Sequence, residues 1–125
     1  MSVPIPPRGI YVPAVAFFHE DETLDFDAIA AHLTRLAKAN VEGLVIQGSN
    51  GEGMHMSHEE RIQVLKLARK ILNEHGKPGA VIVAGCGAQS TRETIELCKE
   101  SKEAGADFAL VLSPSFWSKL IDCIP

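Results

Sequence analysis

Residues 41–53 read V-E-G-L-V-I-Q-G-S-N-G-E-G, an apolar strand that opens at its carboxyl end into a short polar loop punctuated by glycines. Ser57 and Glu60 follow with the S-x-x-E spacing of a helix capping box. Strand, loop and helix in that order place Ser49, Asn50 and Glu52 where α/β folds carry their chemistry, at the carboxyl ends of strands. This segment sets the frame for everything on either side of it.

Downstream, Ile62, Leu65, Ala68 and Leu72 line one face of a helix that Gly76 stops. Upstream, Gly9–Phe18 is a β-branched and aromatic run, with Pro13 marking a bulge or a sheet edge. After the polar turn His19–Glu22, the residues Leu24, Ala28, Ile29, Leu33, Leu36 and Ala37 recur at helical spacing, with Asp25 and Asp27 in the first turn. A third strand, Ala80–Ala84, leads through G-C-G-A-Q to a second capping box, Ser90 and Glu93. The helix that follows uses Ile95, Leu97, Cys98 and Ser101 and ends at Gly105. Phe108–Leu112 is a fourth strand, broken by Ser113-Pro114. The unit recurs at about 30-odd residues, the size of a βαβ element, and the strands are apolar throughout, as when both faces are covered. The expected fold class is α/β with a parallel sheet, in one domain without a linker.

A chain of 125 residues buries roughly two thirds of its unfolded surface. The net charge is −4 with histidine neutral, and no basic cluster interleaves with aromatics, so no nucleic-acid partner is expected. The apolar runs Ala80–Ala84 and Phe108–Leu112 fall far short of the ~20 residues of a spanning helix, so no membrane partner is expected either. Met1–Pro7 carries no targeting pattern, and Cys86, Cys98 and Cys123 lack C-x-x-C spacing, which together predict a reduced, cytoplasmic protein. Neither cofactor nor metal is expected. Gly85-x-Gly87 lacks the third glycine of a dinucleotide loop, and Asp107 comes at the entrance of its strand. His55 and His58 have no acidic or cysteine ligand at fitting spacing and read as polar surface histidines beside a cap. Asp21, Glu22, Asp25 and Asp27 miss the spacing of a calcium loop and read as a solvated helix start.

The last strand has no covering helix after it, because Trp117–Pro125 is too short to build one and return. An apolar parallel edge is then bare, a pairing liability that stable domains blunt. The expectation is a truncated piece of a larger fold.

G-L-V-I-Q-G-S-N-G-E-G followed by S-H-E-E-R closely resembles the signature of the dihydrodipicolinate synthase and N-acetylneuraminate lyase family, class I aldolases built on the (β/α)8 TIM barrel. Gly9–Pro13, Ala84–Gly87 and Gly105–Pro114 resemble its first, third and fourth strands, so the resemblance runs from residue 8 to about 119. Serine and asparagine between the glycines are most similar to the 4-hydroxy-2-oxoglutarate aldolase branch. The resemblance implies that residues 1–125 form the amino-terminal half of a barrel, from a family that is usually homo-oligomeric and acts on pyruvate or another 2-oxo acid. It also implies that Gly48, Ser49 and Asn50 hold the substrate carboxylate, with Ser49 in a proton relay. The residue types suit such a role, since glycines let the backbone approach a ligand, Ser49 and Asn50 donate, and successive N–H groups form an anion-binding concavity. Glu52 is read as a brace for the loop.

Two departures follow. The relay tyrosine of the family aligns with Phe116, whose ring cannot pass a proton. The Schiff-base lysine of the family ends a sixth strand, and a second tyrosine lies near a fifth; this chain has neither strand. Its lysines at 38, 66, 70, 77, 99 and 102 belong to helices or their exits, and Lys119 does not substitute by position. A Schiff-base lysine must be desolvated to be partly neutral near pH 7. The chain alone is therefore expected to be inactive. The alternative is a non-catalytic half barrel that pairs with itself or with a full-length relative; a flavodoxin-like phosphate-binding module stands third.

Overall fold

The computed structural model describes residues 4–116. Its parallel sheet contains β1 (Tyr11–Pro13), β2 (Gly43–Ile46), β3 (Val81–Gly85) and β4 (Phe108–Leu110), in the order β1-β2-β3-β4. The connecting helices are α1 (Phe26–Lys38), α2 (His58–Glu74) and α3 (Thr91–Glu103). Strand order equal to chain order is the winding of a (β/α) barrel, whereas a flavodoxin-like sheet reverses to 2-1-3. The flavodoxin plan is thereby removed, and a partial barrel remains.

The register sets Val12 beside Leu44 and Leu44 beside Ile82, with Ile46 beside Ala84. Leu44, Ile46, Ile82 and Ala84 share one face and are buried against Ile29 and Leu33 of α1 and Leu65 and Leu72 of α2. Val45 and Val83 alternate to the other face and are only half-buried. Covered strands on both faces were expected; in the described residues only the helical face is closed. The apolar alphabet of these strands reflects the sheet they are built for, and Val45 and Val83 carry the residue type without the cover.

Several element ends depart from the sequence reading for local reasons. The long first strand shortens to Tyr11–Pro13, since Pro13 has no N–H to donate and sits on the sheet edge, where that is tolerated. Beyond it the chain folds back through His19 N–H to Thr23 O at 2.8 Å and a bridge between Phe18 and Leu24. Asp25 is not in the first turn of α1 but caps it, accepting the Ala28 N–H at 2.9 Å. The Ser57–Glu60 capping box forms in both directions. In α3 only Ser90 caps, because the Glu93 carboxylate turns instead to His58. Ile95 is 48% exposed, and the inward stripe of α3 is Leu97 and Ser101. Trp117–Pro125, which carries the expectation of truncation, lies outside the described residues, as do Lys119 and Cys123.

Gly76 and Gly105, at φ +70° and +105°, end α2 and α3 as their sequence positions indicate. The amino ends of the strands are tied by Arg69. Its guanidinium reaches Ala80 O (2.9 Å), Gly105 O (2.9 Å) and the Asp107 carboxylate (2.6 Å), which also accepts the Ile82 N–H. Asp107 is thus a fixture of the sheet base.

Replacing Ile82 by alanine is expected to lower unfolding stability by about 2–5 kcal/mol, while Ile95→Ala stays within about 0.5 kcal/mol; paired urea titrations of the two variants check the difference.

Candidate functional site

At the carboxyl end of β2 the chain changes direction within one residue. Gln47 adopts φ +61°, is almost fully buried, and donates from its side-chain amide to Arg61 O at 2.6 Å. The loop then makes two single turns of 3-10 helix, Ser49–Gly51 and Gly53–His55, joined by Glu52 at φ +51°. Gly51 N–H and Glu52 N–H close the first turn onto Gly48 O (3.0 Å) and Ser49 O (3.2 Å). The Glu52 carboxylate meets His55 Nδ1 at 3.1 Å, in keeping with the bracing role read for it.

Beneath this loop lies Arg61, only 6% exposed. Its guanidinium donates to Gly53 O at 2.5 Å and to Gly85 O, so one side chain joins the loop after β2 to the end of β3. Among the described residues no carboxylate pairs with it, and its Nε has no partner. Burial pushes the guanidinium below its ordinary value, yet an arginine stays cationic at neutral pH. The glycines here are dictated by crowding. A Cβ on Gly85 would meet the Gln47 carbonyl oxygen, and one on Gly53 would meet that oxygen and the guanidinium.

A cavity of about 310 Å³ opens at these strand ends, and Gly48, Ser49, Gly53, Arg61, Gly85 and Leu110 are among the residues on its wall. Gly48 and Ser49 are both on this wall. Asn50 is exposed and off that wall. The N–H groups of Ser49 and Asn50 have no acceptor among the described residues. Phe116 is 82% exposed and donates its N–H to the Gln89 side chain at 3.4 Å, away from the cavity. Glu52 and His55 form a partition to a neighbouring cleft lined by Phe18, His19 and Glu22.

Arg61 escaped the sequence reading, which placed Ile62 on the inward face. The observed stripe is Arg61, Val64, Leu65, Ala68, Ile71 and Leu72, and a cation at the first position of an apolar stripe was the available signal. His58 is more than a surface histidine beside a cap. Its Nδ1 meets Glu100 at 2.7 Å and its Nε2 meets Glu93 at 3.2 Å, which links α2 to α3. The hydrogen bonds to Glu93 and Glu100 raise its pKa. Burial pushes the Cys86 thiol up, with Ser101 Oγ 3.4 Å away. Among the described residues no cluster of three or more His, Cys, Asp or Glu is arranged to hold a metal, and no helix is long and apolar enough to cross a membrane.

Residues 6–121 match the model of the dihydrodipicolinate synthetase family. The chain is 46% identical over 113 residues to a probable mitochondrial 4-hydroxy-2-oxoglutarate aldolase of Emericella nidulans, covering 90% of this chain and 37% of that protein. The fold superposes with TM-score 0.83 and 38% identity on a crystal structure of a dihydrodipicolinate synthase family protein from Coccidioides immitis, over 94% of this chain and 37% of that one. A prophage protein of the same family from E. coli K12, solved in complex with pyruvate, gives TM-score 0.75 and 35% identity over 91% of this chain and 38% of its own. The chain therefore spans a little more than a third of these relatives.

Two measurements probe this geometry. Gly85→Ala is expected to cost about 1–3 kcal/mol through overpacking, whereas Gly79→Ala, where a Cβ meets nothing, is near neutral; thermal unfolding compares them. His58 has a raised folded-state pKa, so its contribution to stability is complete below the ordinary value of about 6.5 and is lost as pH rises through the raised value. Unfolding titrations should show stability falling above about pH 6.5 in the parent, with a flatter profile in His58→Gln.

Proposed function

The chain belongs to the dihydrodipicolinate synthetase family, whose relatives include aldolases, and on that premise we propose that it carries the 2-oxo-acid-binding part of a carbon–carbon lyase. The enzyme is a class I aldolase of the 4-hydroxy-2-oxoglutarate aldolase or dihydrodipicolinate synthase type, working through a Schiff base on pyruvate or another 2-oxo acid. Residues 1–125 are the amino-terminal half of its barrel domain. The observation that carries the reading is Ser49 on the wall of a cavity at the strand ends, with Gly48 beside it and a buried cation behind. A pyruvate complex of the E. coli family member supports the ligand class.

In this reading the Ser49 hydroxyl and the N–H groups of Ser49 and Asn50, which have no acceptor among the described residues, hold the carboxylate, and Ser49 is the first member of the proton relay. The relay has no second member in the described residues, since Phe116 is apolar and does not line the cavity. None of the lysines among the described residues lines the cavity, so residues 4–116 offer no Schiff-base nucleophile there. The chain by itself binds and does not turn over. A reducing compartment, the cytosol on the cysteine pattern, is the proposed location, although the Emericella relative is mitochondrial by name.

A second reading is favoured by one observation. Ile10 is 71% exposed at the β1 edge, and Leu110, Val111 and Leu112 are 42%, 52% and 57% exposed at the β4 edge. Two apolar edges that no strand covers among the described residues suit a half barrel that pairs with a second copy or a full-length relative.

Pyruvate followed by borohydride is expected to leave every lysine unmodified, while pyruvate alone shifts the amide signals of Ser49, Gly51 and Gly53; a lysine adduct found by mass spectrometry overturns the inactivity. Sedimentation decides the second reading, for which a monomer with cooperative unfolding is the fatal result.

A further inference from the structure

Arg61 has the wrong surroundings for a structural ion pair. It is 6% exposed, its guanidinium contacts two backbone carbonyls, and among the described residues Nε is unpartnered and no carboxylate bonds to it. Glu93 and Glu100, whose charges are felt at Arg61, are bonded to His58, and the Glu52 carboxylate on the same cavity wall is bonded to His55. A buried cation without a bonded counter-ion is costly. The cost falls when an anion arrives within a low-dielectric distance. Arg61 lines the cavity together with Ser49 and Gly48, so an anion held there meets a cation that no carboxylate among the described residues bonds to.

We propose that Arg61 is a positioning residue for the 2-oxo acid carboxylate: its guanidinium ties the loop after β2 to the end of β3 and supplies the charge, bonded to no carboxylate among the described residues, that makes the Ser49 cavity select an anion over a neutral isostere. This role rests on the function proposed above and adds the origin of the charge preference. Arg61 acts through Gly53 O and Gly85 O and through its field. It forms no bond to the reacting atoms.

The test uses the full chain and two ligands of nearly equal shape, pyruvate and its neutral amide, followed through the Ser49 and Gly53 amide signals. The parent is expected to prefer pyruvate. Arg61→Met should weaken pyruvate by roughly tenfold, the worth of one partly buried charge a few ångströms away, and leave the amide nearly unchanged. Arg61→Lys keeps the charge and should keep the preference, which also covers the case in which the methionine variant does not fold. Equal loss of both ligands in the methionine variant, or loss of preference in the lysine variant, shows a strut only and overturns the inference. A parent chain that responds to neither ligand sinks the 2-oxo acid reading and this inference with it.

Discussion

A guanidinium removed from water must find acceptors, and around Arg61 those among the described residues are main-chain carbonyls. That requirement draws Gly53 O and Gly85 O toward one point, and the backbone around them has to comply. Gln47 takes a left-handed conformation, places its own amide on Arg61 O, and leaves no room for a side chain at 53 or 85. Loop shape, glycine placement and the position of Ser49 are thus consequences of where one cation is buried. The loop owes its form less to its own turn preferences than to the helix that follows it.

Helix α2 organises the sheet in this way at both ends. Arg61 and Arg69 lie about two helical turns, ~12 Å, apart, and they grip opposite rims of the sheet. Arg69 at the amino rim is paired with Asp107 and satisfied by Ala80 O and Gly105 O, a closed arrangement that asks for nothing more. Arg61 at the carboxyl rim is left electrically open among the described residues. The same residue type is paired with a carboxylate at one end and, among the described residues, bonded to backbone carbonyls alone at the other.

Much of the fold is legible in the sequence because it is written in local rules. Alternating apolar runs and capped helices give the parallel repeat, and Gly76 and Gly105 mark the helix ends they were read to mark. The loop Gly48–Gly53 is legible through strand-end placement and motif, and Gly48 and Ser49 do meet a cavity. What escaped depends on partners distant in sequence. Glu93 satisfies the capping pattern with Ser90, but a histidine from α2 competes for its carboxylate and wins through a bond the local spacing cannot reveal. Asp25 is shifted by one position because the fold-back after Phe18 sets where the helix begins. Val45 and Val83 look like doubly covered strand residues because composition carries residue type alone, and among the described residues they are only half-buried.

The sheet pairs each strand only with the strands that flank it in the chain. Every long-range step in assembly is therefore one βα unit deep, and loop closure never has to span the whole polypeptide. During synthesis β2 can dock as soon as α1 has emerged, and β3 then finds its template already in place at the ribosome exit. Sequential winding turns vectorial translation into a folding order, with each new unit sealing the exposed edge left by the previous one.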